Sequence, residues 1–171
     1  SKSNPRLIEA RFNQAFDSTE GMTIVMLDGK YGFVSNEGVI IEPQYEEVAD
    51  FSEGLGPVKL NGLWGFINRS GTIVIKPQFS YAAEFHEERA IIELNSRWGF
   101  IDRGGKIIVK PVYEDALWFS EGYAPVKMKN KWGFIDKSGK SAIDPQFDKS
   151  IDGFIDGIAL VQINNKYGYI K

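Results

Sequence analysis

The chain repeats one pattern of apolar and polar positions with a spacing of 34 residues between its central copies. Each copy has an apolar stretch, a polar turn, an aromatic-Gly-aromatic-aliphatic stretch, a second turn with glycine, an Ile/Val stretch, a proline and a connector ending in phenylalanine. The aromatic-Gly pairs begin at Tyr31, Trp64, Trp98, Trp132 and Tyr167. The connector phenylalanines are Phe51, Phe85, Phe119 and Phe154. A fixed period of this length predicts a tandem array in which these recurring aromatics form the core.

The first half of each copy has the pattern of a β-hairpin. In one central copy, residues 58–60 precede Asn61-Gly62, and residues 63–67 follow it. Asn-Gly suits a type I′ turn, which needs positive φ at both central positions. Alternation then places Trp64 on one face of the sheet and Gly65 on the other. Because both faces are largely apolar, neighbouring copies must cover them. We expect an aromatic side chain of an adjacent copy to approach Gly65 closely.

The second half of each copy predicts one further strand. The β-branched run at 72–75 follows the second turn, and Pro77 then ends strand hydrogen bonding. Residues 78–85 are predicted to form a loop or a single helical turn. One unit is therefore a three-stranded antiparallel meander with a connector, and the array contains four such units and a C-terminal half unit.

The N-terminal segment differs from the repeats. Asn4-Pro5 suits the start of a helix, and an apolar stripe follows at Leu7, Ile8, Phe12 and Phe16. We expect a capping α-helix within residues 1–19 and the repeat array over residues 20–171. The mainly β array is predicted to be open and solenoid-like, because its two ends look like different caps. The alternative is a closed propeller-like or barrel-like ring, in which the half unit supplies strands to the first unit.

Composition narrows the function classes. The hydrophobic fraction of 43% with 13% aromatics predicts a folded protein. A net charge of -3, with basic residues scattered along the units, argues against nucleic-acid binding. No apolar run approaches the roughly 20 residues that cross a bilayer, so membrane insertion is not expected. The chain has no cysteine, and no metal-ligand cluster, cofactor motif or catalytic triad is visible, so no cofactor is predicted.

Three segments carry a family resemblance. They are Trp64-Gly-Phe-Ile-Asn, Trp98-Gly-Phe-Ile-Asp and Trp132-Gly-Phe-Ile-Asp, each followed by the same glycine, proline and phenylalanine positions. The sequence resembles the WG-repeat family over about residues 20–171, although Tyr31 and Tyr167 replace tryptophan in the terminal copies. The resemblance implies a bacterial, non-catalytic repeat module, a kind often attached to other domains or found in envelope and secreted proteins.

Residues that break the repeat are the better candidates for function. Trp118 stands where other copies have Asp50 and Glu84, and the remaining exceptions are Tyr81, Tyr123, Arg89 and the single histidine, His86. Exposed Trp and Tyr are typical anchors of protein interfaces and stack on sugar rings. We expect these connectors to bind a protein or peptide. The alternatives are a glycan or cell-wall ligand, a structural spacer role, and, least favoured, a glycosidase.

The repeated acids have a structural explanation. Carboxylate pairs such as Glu46-Glu47 would suit glycoside hydrolysis, which uses two carboxyl groups. Acids recur with every connector, however, and a residue needed in every unit is a poor candidate for one active site. The sequence therefore predicts that the recurring acids cap turns or lie on a solvated face, at Glu53, Glu87, Glu121 and Asp156.

Overall fold

A computed structural model describes residues 11–150 and 152–171, and this part of the chain consists of 19 strands in five antiparallel sheets with no helix. Sheet one contains β1 (Gln14–Thr19), β2 (Met22–Leu27), β3 (Lys30–Ser35) and β4 (Ile40–Tyr45). Sheet two contains β5 (Glu47–Val48), β6 (Leu55–Leu60), β7 (Leu63–Asn68) and β8 (Ile73–Phe79). Sheet three contains β9 (Tyr81–His86), β10 (Arg89–Leu94), β11 (Arg97–Ile101) and β12 (Ile107–Tyr113). Sheet four contains β13 (Asp115–Ala116), β14 (Tyr123–Met128), β15 (Lys131–Asp136) and β16 (Ser141–Phe147). Sheet five contains β17 (Lys149–Ser150), β18 (Ala159–Ile163) and β19 (Lys166–Ile170).

The repeating sheet has four strands, so the prediction of three-stranded meanders was wrong. The extra strand comes from the connector, which we expected to be a loop or a helical turn. In sheet two, Glu47 is paired with Lys59 and Val48 with Val58. A connector thus leaves one sheet and becomes the first strand of the next. Its pairing partner lies beyond the intervening loop, which is why the local residue pattern did not reveal it.

The predicted N-terminal helix is not supported. Gln14–Thr19 form β1, which is paired with β2 in sheet one. Its residues supply the edge strand that the connectors supply in the later sheets. The remainder of the predicted helix, over residues 1–10, lies outside the described residues.

The hairpins confirm the predicted turn geometry. Asn61 and Gly62 have φ of 53° and 76°, and the pairing places Lys59 opposite Trp64. Positive φ at both central positions recurs in all five hairpins, including the one at Lys129 and Asn130, where the sequence fitted least well. The hairpin register therefore follows from the turn residues.

In the first four aromatic-Gly pairs, the glycine lies against the backbone of the last strand of its own sheet, so the expectation of a neighbouring aromatic at Gly65 was wrong. A Cβ added to Gly65 would lie 2.5 Å from the carbonyl oxygen of Ile75 and 2.6 Å from the nitrogen of Pro77, both in β8. The register between β7 and β8 shifts between Trp64 and Phe66. The absence of a side chain thus lets the last strand of the unit cross close to Gly65. Pro77 lies inside β8 and does not end it.

Successive sheets share one buried core at each junction. Trp64 and Phe66 of sheet two pack with Phe85 and Ile92 of sheet three in one buried cluster. Equivalent clusters join sheets one and two, three and four, and four and five. The described residues form no closed barrel, and Tyr169 in sheet five is 70% exposed. This agrees with the predicted mainly β tandem array and argues against the barrel-like alternative.

Candidate functional site

The connector phenylalanines hold neighbouring sheets together. Each is buried, and its ring lies against the phenylalanine that follows an aromatic-Gly pair in the preceding sheet. The ring centroids are 5.0 Å apart for Phe33–Phe51 and for Phe66–Phe85, 4.9 Å for Phe100–Phe119, and 5.3 Å for Phe134–Phe154. Edge-on and tilted geometries of this kind are favourable for aromatic pairs. Phe51, Phe85, Phe119 and Phe154 thus lie in the buried clusters between neighbouring sheets.

The aromatics of the aromatic-Gly pairs differ in burial along the array. Trp64 and Trp132 are buried, whereas Tyr31 and Trp98 are half-buried. Tyr167, which was predicted to be a core residue, is 62% exposed because no further sheet covers it among the described residues. The recurring aromatic position therefore belongs to the core only where a following sheet exists.

Tyr81 lies between two of these tryptophans. Its ring centroid is 6.0 Å from that of Trp64 and 5.4 Å from that of Trp98. Burial, and then the negative charge of Glu84, raise the pKa of Tyr81 above its ordinary value of 10.0. The phenol is therefore neutral at physiological pH. Tyr81 remains partly exposed, so its ring joins sheets two and three and also contributes to the surface.

The exposed ring of Trp118 lies against the half-buried ring of His86. Their ring centroids are 5.6 Å apart with an interplanar angle of 32°, and Trp118 is 47% exposed. At the position of His86, the neighbouring sheets carry serines. Ser52 Oγ and Ser120 Oγ donate hydrogen bonds to the carbonyl oxygens of Phe85 and Phe154, both at 2.6 Å. Sheet three has a ring contact in place of this hydrogen bond.

Arg89 takes part in the junction between sheets three and four. Its Nη1 donates to the carbonyl oxygen of Glu88 at 2.9 Å, and its Nε donates to that of Lys137 at 3.4 Å. Lys137 Nζ lies 3.0 Å from Glu87 Oε2. The guanidinium and its neighbours therefore fix the backbone beside the aromatic pair, and this was not expected from the sequence.

The recurring acids cap turns of the next sheet, as predicted. Glu53 accepts hydrogen bonds from the amide of Glu88, Glu87 from that of Gly122, and Glu121 from that of Gly157. The fourth predicted acid, Asp156, is exposed in sheet five. Each of these contacts joins a connector to a turn of the next sheet and so contributes to the alignment of successive sheets.

Glu87 shows the electrostatic consequence of this capping. Burial by itself raises its pKa, but the hydrogen bond and positive charge of Lys137 and the amides of Gly122 and Glu121 outweigh burial. Together they lower the pKa of Glu87 below its ordinary 4.5. The carboxylate is therefore charged in its role as a cap.

A second set of acids caps the hairpin turns, and the sequence analysis missed it. Glu46 accepts from the amide of Gly62, and Glu114 accepts from those of Lys129 and Asn130. Asp148 accepts from the amide of Asn164 in the same way, and this bond together with Lys131 lowers the pKa of Asp148. The signal in the sequence was an acid directly after the Tyr or Phe that ends three of the four fourth strands, whereas Ser80 follows Phe79.

The predicted site residues fall into two separate groups. Tyr81 and His86 are the first and last residues of β9, so they are about 16 Å apart along the strand. Arg89 is paired with His86, whereas Trp118 and Tyr123 flank the turn that precedes β14. Tyr123 also contacts the ring of Phe154 at 5.4 Å. The structure thus brings four candidates to one end of the sheets and leaves Tyr81 at the other.

A groove at the first junction was also missed. It has a volume of 510 Å³. Its lining consists of the three carboxylates of Asp17, Glu47 and Asp50 and the largely apolar side chains of Phe16, Ile24, Tyr31 and Val48. Glu47 occupies the position that Tyr81 fills at the next junction.

Neither a metal centre nor a membrane span emerges from the described part of the chain. Within residues 11–150 and 152–171, no group of three His, Cys, Asp or Glu residues is arranged to hold a metal ion. No helix in the same ranges is long and apolar enough to cross a bilayer.

Comparisons with solved structures give distant likenesses. PorZ, an essential bacterial surface component of the type-IX secretion system of Porphyromonas gingivalis, is 12% identical with a TM-score of 0.45, over 98% of this chain and 27% of PorZ. The tricorn protease is 13% identical with a TM-score of 0.40, over 82% of this chain and 18% of that chain. This chain therefore spans about a quarter of PorZ and less of the protease. These likenesses are too distant to support an inference about function.

The family assignment comes from the repeats themselves. No curated protein matches the chain. The family model described as WG containing repeat matches five consecutive segments, at residues 7–31, 35–64, 64–98, 98–132 and 132–167. Each of the five segments ends at the aromatic residue of an aromatic-Gly pair, so the family period agrees with the period of the sheets. The chain therefore belongs to the WG containing repeat family.

Proposed function

We propose that the array is a non-catalytic scaffold that binds a protein or peptide at the surface formed by Trp118, His86 and Tyr123, here called the aromatic surface. The observation that carries this proposal is the exposed Trp118 ring against His86. Tryptophan is among the residues that contribute most to binding energy in protein interfaces. The other described sheets have acidic or small residues at the Trp118 position, so folding of a unit does not require an aromatic there.

The surroundings of the aromatic surface favour a rigid platform. Arg89, Lys137 and Glu87 are engaged in contacts that join sheets three and four. A partner would therefore meet side chains that are already positioned, which lowers the entropy cost of binding. The acids that would suggest glycoside hydrolysis have structural partners, since Glu46 caps a hairpin turn and Glu47 pairs with Lys59. This supports a binding role over a catalytic one.

The experiment compares four immobilised proteins in their retention of partners from a cell extract, measured by quantitative mass spectrometry. They are the unmodified chain, Trp118→Ala, Trp118→Phe and Tyr167→Ala. For a partner that uses the aromatic surface, retention should fall about tenfold or more with Trp118→Ala. It should be largely kept with Trp118→Phe and unchanged with Tyr167→Ala, which removes an exposed aromatic far along the array. If the same partners are retained equally by Trp118→Ala, this surface is not the binding site.

Glycan binding is the second candidate, because an exposed indole face also stacks on sugar rings. The same four proteins are tested for retention on insoluble cell-wall polysaccharide. Loss of retention with Trp118→Ala alone would favour a glycan ligand. A spacer role is favoured if neither proteins nor polysaccharides distinguish Trp118→Ala from the unmodified chain.

A further inference from the structure

The groove at the first junction lies between two sheets that each have four strands. Its walls come from β1, β2 and β3 of sheet one, and from β5 and the connector after it in sheet two. Its volume of 510 Å³ is within the range of about 300–1,000 Å³ that is typical of sites for small molecules. Seven described residues line it, whereas a standard protein interface uses about 20–30 residues on each side. The size of the groove therefore favours a small ligand.

Two neighbouring aromatic rings line the groove. The ring centroids of Phe16 and Tyr31 are 6.3 Å apart with an interplanar angle of 40°, and Phe16 is 45% exposed. At the position of Phe16, sheets two and three have Ala49 and Ala83, so folding of a unit does not require a ring there. An exposed aromatic face attracts a cation that lies within about 6 Å of the ring centroid.

Two carboxylates stand at one repeated position on the two walls. Gln14 of β1 and Glu47 of β5 each pair with the equivalent residue of the strand that follows. Asp17 and Asp50 lie three residues further along, and both line the groove. The repeat therefore brings an acidic side chain to the groove from each of the two sheets.

The acids of the groove differ from the acids that cap turns. Within residues 11–150 and 152–171, the side chains of Asp17 and Asp50 have no hydrogen bond and no ion pair. Glu47 Oε1 lies 2.5 Å from Lys59 Nζ, so this third carboxylate has a cationic neighbour. No lysine, arginine or histidine is among the described residues that line the groove. A positively charged occupant would therefore meet two carboxylates that lack a compensating charge.

The second junction shows which kind of group such a space accommodates. Tyr81 stands at the position of Glu47, and its ring lies between those of Trp64 and Trp98. A six-membered ring thus packs between the corresponding aromatic positions of two successive sheets. A ligand of the first groove can use the same kind of contact.

We propose that the groove at the first junction binds a small organic cation, namely an ammonium group joined to an apolar body about as large as a phenyl ring. Asp17 and Asp50 and the ring face of Phe16 bind the ammonium group. Its apolar body packs against Ile24 and Val48, which are half-buried. An anion of the same size is disfavoured, because it would be repelled by the same carboxylates.

The test titrates three probes that differ in charge into the isotopically labelled chain, and amide chemical shifts report binding. The probes are 2-phenylethylammonium, the neutral 2-phenylethanol and the anion 3-phenylpropanoate. The ammonium probe is expected to shift amides of β1, β3 and β5 with a dissociation constant of about 1 mM or less. The alcohol should bind about tenfold more weakly, and the anion should not bind. Sodium chloride at about 0.5 M should weaken the ammonium complex, because salt screens exposed charges.

Three variants locate the site. Phe16→Ala introduces the residue that sheets two and three have, and Asp50→Asn removes a charge at nearly constant size. Glu84→Gln is the matched control, because Glu84 has the position of Asp50 in sheet three. For the ammonium probe, the dissociation constant is expected to rise about fivefold or more with Phe16→Ala and with Asp50→Asn and to stay unchanged with Glu84→Gln. None of the three positions is buried, so the variants should fold, which circular dichroism checks.

Four outcomes would overturn the proposal. They are no shift with the ammonium probe at about 10 mM, shifts confined to other parts of the array, equal affinity for the ammonium probe and the alcohol, and equal affinity of Asp50→Asn and Glu84→Gln for the ammonium probe. Equal affinity for the ammonium probe and the alcohol would assign the groove to a neutral apolar ligand. Because Trp118 and His86 are intact in every variant, failure here is distinguishable from failure of the proposed aromatic surface.

Discussion

Substituting Gly65 by alanine should sharply destabilise the array. The new Cβ would lie 2.5 Å from the carbonyl oxygen of Ile75, 2.6 Å from the nitrogen of Pro77 and 2.9 Å from the carbonyl carbon of Lys76. All three are backbone atoms, so no side-chain rotation relieves the overlap, and β8 must move away from β7. Overpacking costs about 1–3 kcal/mol, and this case belongs at the upper end, because backbone displacement also weakens strand pairing.

The assay is urea unfolding followed by circular dichroism and tryptophan fluorescence, together with amide hydrogen exchange. Exchange should accelerate most in β8, because neighbouring repeats transmit only part of a local defect. Gly168→Ala is the matched control, since no atom lies within 4 Å of its Cβ. That variant should be unchanged or stabilised by up to about 1 kcal/mol through lower entropy of the unfolded chain. A loss below about 0.5 kcal/mol for Gly65→Ala, or equal losses in both variants, would refute the close-approach explanation.

Three further variants test other contacts. Trp64→Ala, which empties a buried site, should lower the free energy of unfolding by about 3–5 kcal/mol. Trp118→Ala should lower it by at most about 1 kcal/mol, because the Trp118 ring is half exposed. Urea unfolding compares the two variants, and equal losses would contradict the assignment of Trp64 to the core and Trp118 to the surface. Tyr81→Ala should lower the free energy of unfolding by about 1–2 kcal/mol and alter the near-ultraviolet circular dichroism of Trp64 and Trp98. An unchanged spectrum would contradict the ring contacts of Tyr81 with these tryptophans. The folded-state pKa of Glu87 lies below its ordinary value of 4.5. The charged carboxylate of Glu87 therefore stabilises the fold fully above pH 4.5, and this stabilisation is lost as the pH falls through the folded-state pKa. The stability difference between the unmodified chain and Glu87→Gln should therefore shrink between neutral pH and about pH 3, and a constant difference would contradict it.

The hairpins show how far local sequence was sufficient. A two-residue turn with Asn, Asp or Gly sets both φ values and the register, and the residues of the turn are adjacent in the chain. The prediction therefore held for Asn61-Gly62 and also for Lys129-Asn130. The structural role of the connector phenylalanines was predictable for a similar reason, because a residue that returns with the period meets the same neighbour in every unit.

The connectors show where local sequence was insufficient. Glu47 and Val48 form a strand only because Lys59 and Val58 lie beside them after the intervening loop. Strand formation depends on such cross-strand neighbours more than on intrinsic preference. The same reasoning applies to residues 14–19, whose apolar spacing resembled a helix but which pair with β2.

The candidate site was only partly predictable. The departures from the repeat identified Trp118 and His86, and the structure places these two rings in contact. The sequence could not indicate that Tyr81 lies at the opposite end of β9, nor that Arg89 joins two sheets. Both facts depend on the direction of β9 and on the packing of the next sheet, which are tertiary features.

By itself, the sequence determined the period, the hairpins and the residues that recur in the core, because each depends on neighbours close in the chain or on repetition. The tertiary structure alone decided that each sheet has four strands and that the glycine of the aromatic-Gly pair admits the last of them. Among the described residues, it also shows no such strand beside Gly168. The physical reason is that a glycine in the sequence shows only that a side chain is absent. Which atoms occupy the space left beside the glycine depends on a strand about ten residues further along the chain.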